Sequence, residues 1–150
     1  RIPAPISTDP SWYQCKFCPA HDFCHEKQLT KFANCRTCAR STPEEDGTWS
    51  CARWDSKDIP ADFQSKGCAS HVLHPDMVPW EIKDSGDPNE AVYTVNGVDL
   101  RNGEGDAFSF SSEELIIGAE ACAASIVGDI KTTFPGAKVV GVNPVEEVPG

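Results

Sequence analysis

The chain has 150 residues and a mass of 16.3 kDa, room for one ordinary domain or two small ones and too little for a large multidomain enzyme. Hydrophobic residues make up 39% and charged residues 24%, which excludes a disordered or fibrous chain, and no apolar run approaches the ~18 residues of a membrane-spanning helix. Two numbers remain to be explained, 8 cysteines and a formal net charge of -10.

Neither is spread evenly. Cys15, Cys18, Cys24, Cys35, Cys38, Cys51 and Cys68 precede position 80, and Cys122 alone follows it. Residues 1–80 hold 9 basic against 10 acidic side chains, and residues 81–150 hold 4 against 13. The division predicts a cysteine-rich metal-binding module over 1–80, a linker over 81–90 and an acidic α+β unit over 91–150. The opening Arg1-Ile2-Pro3-Ala4-Pro5-Ile6 reads as an extended connector. No basic and apolar segment of the signal-peptide kind opens the sequence. Residue 1 is arginine and the single methionine is Met77, so a longer parent is expected.

In chain order, Asp9-Pro10 reads as a helix N-cap and first position, leading through Trp12 and Tyr13 into Cys15. Cys15-x2-Cys18-x5-Cys24 follows, with His21 inside it and His25 directly after. The next group is Cys35-x2-Cys38-x12-Cys51-x16-Cys68. Between its second and third members, Ser41–Gly47 is turn-rich, and Thr48-Trp49-Ser50-Cys51 alternates as a short strand. Pro60 and Gly67 bracket a short helix that delivers Cys68.

Eight cysteines are compatible with a disulfide scaffold, but three features favour metal. The chain is long enough to fold without disulfides, its second half manages with one cysteine, and two C-x2-C pairs suit two thiolates on one ion. Metal ligation places the chain in a reducing, cytoplasmic compartment. Cys35, Cys38, Cys51 and Cys68 make a complete tetrahedral set, with His71 or His74 as alternative fourth ligands. A knuckle followed by a hairpin that supplies the third ligand is zinc-ribbon logic. Cys15, Cys18 and Cys24 are one ligand short. With His25 they suit zinc, and with one more cysteine they suit an iron–sulfur cluster. An electron carrier of the bacterial ferredoxin kind is the weaker reading, because Cys18-Pro19 does not sit in the C-x2-C-x2-C-x3-C-P frame.

The run Ile6–Cys18 (ISTDPSWYQCKFC), continuing to Phe23-Cys24-His25, resembles the C-terminal cysteine trio of RecB-like nucleases of the PD-(D/E)xK superfamily, which include CRISPR-associated exonucleases and related phage proteins. Asn34–Cys38, Ser41-Thr42-Pro43, Trp49-Ser50-Cys51 and Gly67–His71 are similar to the cysteine-rich extension of phage members. The resemblance covers roughly residues 5 to 80 and, more weakly, Phe108–Leu115. It implies that Cys15, Cys18 and Cys24 are three ligands of a [4Fe–4S] cluster whose fourth cysteine lies upstream. It also implies a DNA hydrolase parent whose Mg2+-dependent core lies upstream, and DNA as partner.

The chain itself offers no catalytic set. Pro75-Asp76 and Glu81-Ile82-Lys83 imitate the nuclease motif, but only four residues part Asp76 from Glu81 and Pro79 disrupts a central strand. No P-loop, HExxH or GxSxG occurs.

In the acidic unit, Ala91–Val95, Asn96-Gly97 and Val98–Leu100 predict a two-residue hairpin. Asn102–Asp106 reads as loop and Phe108–Phe110 as a short strand. Ser111 and Glu114 form a capping-box pattern before Leu115-Ile116-Ile117. A second helix over Ser125–Thr133 is expected to turn Ile126, Val127 and Ile130 inward, with Pro135-Gly136 ending it and Ala137–Val142 as a closing strand. Cys122 reads as a small buried apolar residue. The acids suit a solvated face, or a DNA-mimicking or protein-docking one, and disfavour phosphate binding by this half. Lys27, Lys31, Arg36 and Arg40 lie in a stretch without acids. Together with Phe32 and Trp49 they suit single-stranded nucleic acid, or else offset thiolate charge.

Overall fold

A computed structural model describes residues 6–19, 21–26, 28–83, 90–120 and 124–142. It is a small α+β fold with two antiparallel sheets and a few short helices. The helices α1 (Tyr13–Lys16) and α2 (His21–His25) open it. A 3-10 turn over Cys35–Thr37 leads into the two-stranded hairpin β1 (Ser41–Pro43) and β2 (Trp49–Cys51), with Ser41 opposite Cys51 and Pro43 opposite Trp49. The helix α3 (Ala61–Lys66) follows.

The second sheet runs in the order β3 (Glu81–Lys83), β4 (Glu90–Val95), β5 (Val98–Gly103). Its β4–β5 turn is the expected one. Asn96 at φ 51° and Gly97 at φ 82° supply the two left-handed residues that match the strands' twist. Along β4, Ala91, Tyr93 and Val95 point inward by the two-residue period. They join Val72, Leu73, Val78, Leu100, Phe110, Leu115, Ile116 and Val127 in one apolar core, each large side chain contributing about 1.5–3 kcal/mol on burial. The core therefore draws on both sides of the expected linker.

Helix α4 (Ser112–Glu120) begins at the predicted capping box. Ser111 N–H donates to Glu114 Oε2 at 2.9 Å, and Glu114 N–H to Ser111 Oγ at 3.2 Å. Helix α5 (Ala124–Thr133) packs beside it, and Gly118 lets Val127 approach α4 closely.

Five expectations are corrected. Phe108–Phe110 form no strand, and Phe110 alone makes an isolated bridge to Asn102. Asp9 caps a turn rather than a helix: its carboxylate accepts from Ser11 N–H at 2.9 Å, and α1 starts at Tyr13. Glu81–Lys83, assigned to the linker by composition, pair with Val92–Thr94 as an edge strand, because cross-strand pairing accepts polar residues on an exposed edge. Ala137–Val142 form no strand. They pass α4 as irregular chain, tied by Val139 N–H donating to Glu114 Oε1 at 2.8 Å. On α5, Val127 is buried as expected, but Ile126 and Ile130 face solvent and Lys131 takes the inward position. Cys122 and Lys27 lie outside the described residues.

Candidate metal centre

Three local structures carry Cys35, Cys38, Cys51 and Cys68 to one place. The first is the 3-10 turn. Asn34 caps it by accepting from Arg36 N–H at 3.0 Å, while Asn34 N–H donates to Thr37 Oγ1 at 3.2 Å. This reciprocal pairing holds the C-x2-C loop, in which Cys38 N–H reaches Cys35 O at 3.4 Å. Cys38 is buried because its backbone bridges Leu73 of the core, and Ala39 N–H donates to Val72 O at 2.8 Å.

The second is the hairpin. Cys51 sits at the end of β2, and a tight return to Ser56 fixes it through Cys51 N–H to Ser56 O at 2.7 Å and Ser56 N–H to Cys51 O at 3.1 Å. The third is the end of α3. Gly67, at φ 70° and ψ −169°, approaches Ala33 and Asn34 so closely that a Cβ would lie 2.4 Å from the Ala33 carbonyl oxygen. That approach sets Cys68 beside Cys35, whose Sγ lies 3.6 Å from Phe63 O.

The four cysteines line a single cavity of about 430 Å3, walled by Trp54, Ile59, Pro60 and Phe63. Burial pushes the Cys35 thiol above its ordinary range, and the nearby Cys38, Cys68 and Cys51 charges push it further. Such a set favours a cation, whose charge relieves both effects. Four soft sulfur donors in an apolar wall fit zinc. No three of the four sulfurs lie within 4.8 Å of one another. Among the described residues, the metal-capable side chains with all ligand atoms within 4.8 Å of one another are His21, Asp22 and Glu26.

His71 lines the same cavity, but its ring is committed elsewhere. Nε2 lies 2.9 Å from Asn34 O and 3.1 Å from Thr37 Oγ1, and Nδ1 lies 2.7 Å from Ser112 Oγ. A carbonyl can only accept, so this network assigns the proton to Nε2 and leaves Nδ1 to accept the Ser112 hydroxyl hydrogen. Burial pushes the imidazole down to about 4, against the Asn34 carbonyl, which favours the charged form. In this arrangement His71 is a strut between the cysteine turn and α4. His74 caps the 3-10 turn Pro75–Met77, its Nδ1 accepting from Asp76 N–H at 3.1 Å.

The strut belongs to a larger buried network. Asn102, fully buried, accepts from Leu73 N–H at 2.8 Å and donates to Phe110 O at 3.1 Å. Tyr93 OH donates to Leu73 O at 2.6 Å. Cys68–Leu73 therefore join the cysteine cavity to the core through these paired buried groups.

The first cysteine group is arranged differently. Cys15 is buried in α1, Cys18 follows it, and exposed Cys24 and half-buried His25 sit in α2. The structure does not gather these four ligand atoms within 4.8 Å of one another. It gathers His21, Asp22 and Glu26 instead, with His21 Nδ1 2.9 Å from Asp22 Oδ1 and Nε2 3.2 Å from Pro10 O. The hydrogen bond that the His21 ring donates to the Asp22 carboxylate raises the His21 pKa. The signal for this cluster was the four-residue spacing of Asp22 and Glu26, which meet at the end of α2 where Glu26 N–H donates to Asp22 O at 2.9 Å.

Of the candidate nucleic-acid contacts, Lys31 and Arg36 are exposed, as is Phe32, and Arg40 lines the cysteine cavity. Arg53, which the charge pattern did not single out, stacks 4.9 Å over exposed Trp54 and pairs with Glu104 at 3.1 Å. In the nuclease imitation, Asp76 lies in a 3-10 turn and Lys83 is bound to Asp99 at 2.7 Å. Among the described residues no helix is long and apolar enough to cross a membrane. No protein-family model matches the chain, and neither curated proteins nor solved structures show a significant match.

Proposed function

We propose that this chain is a structural metal-binding module, zinc-ribbon-like in its first half, serving as the DNA-positioning C-terminal portion of a RecB-like PD-(D/E)xK nuclease. Cys35, Cys38, Cys51 and Cys68 hold one zinc ion, and hydrolysis with Mg2+ belongs to a core upstream. The observation that carries the metal reading is the convergence of four cysteines from three separate elements on one apolar cavity. Four thiolates leave no open position for water, so the role of the ion is to stabilise the fold rather than to catalyse. The nuclease part rests on the resemblance of the Cys15–Cys24 run. In that reading Cys15, Cys18 and Cys24 serve a second centre, a [4Fe–4S] cluster completed from outside, or zinc with His25.

Metal quantification and absorbance on anaerobically purified protein test this. Loss of one zinc per chain in Cys38→Ser and in Cys68→Ser, with that zinc kept in Cys24→Ser, is the expected result. Retention of zinc by Cys38→Ser and Cys68→Ser refutes the site. A colourless, iron-free protein removes the cluster. A second reading, a non-enzymatic zinc module for single-stranded nucleic acid, is favoured by exposed Phe32 between Lys31 and Arg36. Unchanged single-stranded DNA binding in Lys31→Glu/Arg36→Glu dismisses it.

A further inference from the structure

Helix α2 gathers nitrogen and oxygen donors that the cysteine centres leave unused. Residues four apart share a helix face, which sets His21 beside His25 and Asp22 beside Glu26. The two imidazole rings lie 5.2 Å apart, centre to centre. One ligand atom from each of His21, Asp22 and Glu26 falls within 4.8 Å of the others. The surroundings aim the first ring. His21 Nε2 lies 3.2 Å from Pro10 O, which can only accept, so Nε2 carries a proton. Nδ1 faces a second acceptor, the Asp22 carboxylate, at 2.9 Å. The place between Nδ1 and that carboxylate therefore suits a positive charge, either a proton or a metal ion. A backbone carbonyl behind the ring is the arrangement that orients metal-binding histidines. His25 adds an observation of its own. Its Nε2 is buried and has no hydrogen-bond partner among the described residues, although buried polar atoms are ordinarily paired.

We propose that His21, Asp22 and Glu26, with His25 as a fourth donor, bind a divalent first-row ion of the manganese(II) or iron(II) class. The donor chemistry selects that class. Carboxylates and water suit manganese, and imidazole suits iron, whereas softer ions are drawn to the thiolates. Asp22 and Glu26 are exposed, so water reaches the remaining coordination positions. The site takes none of the cysteines and assigns His25 away from Cys15, Cys18 and Cys24. It stands independently of the zinc centre at Cys35, Cys38, Cys51 and Cys68.

The test titrates Mn2+ into the full chain and follows electron paramagnetic resonance, in which the signal of free Mn2+ is lost on binding. One tightly bound Mn2+ per chain is expected. In NMR spectra of the unaltered protein, the bound ion is expected to broaden the His21 and His25 ring signals and to spare those of His71 and His74. Asp22→Asn/Glu26→Gln is expected to weaken binding about ten-fold or more. Glu45→Gln/Asp58→Asn removes the same charge from two exposed acids elsewhere and is expected to keep the affinity. Absence of a bound ion, equal broadening of all four histidines, or equal affinity in the two double variants overturns the proposal. The NMR arm reads the unsubstituted chain, so the answer does not depend on the variants folding.

Discussion

Replacing Gly67 by alanine tests whether backbone packing assembles the cysteine cavity. Gly67 closes α3 at φ 70° and ψ −169°, a region open essentially to glycine alone, where a side chain costs about 1–3 kcal/mol. The new Cβ would lie 2.4 Å from Ala33 O and 2.9 Å from Asn34 Cα. Both are backbone atoms, so no side-chain rotation removes the overlap. Parting the two segments costs about another 1–3 kcal/mol, as overpacking does. The sum, about 2–6 kcal/mol, is a large share of an ordinary domain's stability of about 5–15 kcal/mol. Gly67 precedes Cys68 and Asn34 precedes Cys35, so the same separation pulls two thiols apart. Urea unfolding followed by tryptophan fluorescence, and zinc competition against a chromophoric chelator, read the two effects. Gly97→Ala is the control, since Gly97 has φ 82° and nothing within 4 Å of its added Cβ. It bears the backbone cost without the overlap. The expected outcome for Gly67→Ala is a larger loss of stability than in the control and a zinc dissociation constant raised ten-fold or more. A Gly67→Ala protein no less stable than Gly97→Ala, with unchanged zinc affinity, refutes the reasoning.

Two further perturbations probe the interior. His71 is held at about 4 in the folded chain against 6.5 when free, so below pH 6.5 the unfolded chain takes up a proton that the folded one refuses. Stability is therefore full above 6.5 and falls as pH drops toward 4, by up to about 3 kcal/mol. In excess chelator, His71→Gln is expected to flatten the urea midpoint between pH 7 and pH 4, and an unaltered slope rejects this role. Lys131→Met strands the buried Glu114 carboxylate without its cation, though Ser111 and Val139 N–H groups still donate to it. A loss near the low end of the range for broken buried pairs, about 3 kcal/mol, is expected in thermal unfolding. Adding Glu114→Gln recovers part of it, and a more damaging double variant contradicts the pairing.

Local chemistry was legible in the sequence wherever neighbouring residues decide it. Asn96-Gly97 fixed the β4–β5 turn, because the two positive φ values it needs are available to those residues. Ser111 and Glu114 marked the start of α4, since the reciprocal cap lies within one helical turn. The cysteine spacing pointed to one four-thiol set; in the structure those four residues line one cavity, with no three of the sulfurs within 4.8 Å of one another.

What only the tertiary structure decided were the choices between partners distant along the chain. The hydrogen-bond partners of His71 are Ser112, forty-one residues away, and Asn34, thirty-seven away, and no local pattern names them. Periodicity put Ile126 and Ile130 in the core because it measures apolarity around a helix axis and not the neighbours. Glu114, buried on α4, needed a cation, and Lys131 was the α5 residue that could supply it. A buried carboxylate demands a partner more strongly than an isoleucine demands burial, and that preference set the rotation of α5. Glu81–Lys83 became a strand for the same kind of reason. An edge strand's hydrogen bonds come from the strand beside it, a partner that composition alone does not reveal.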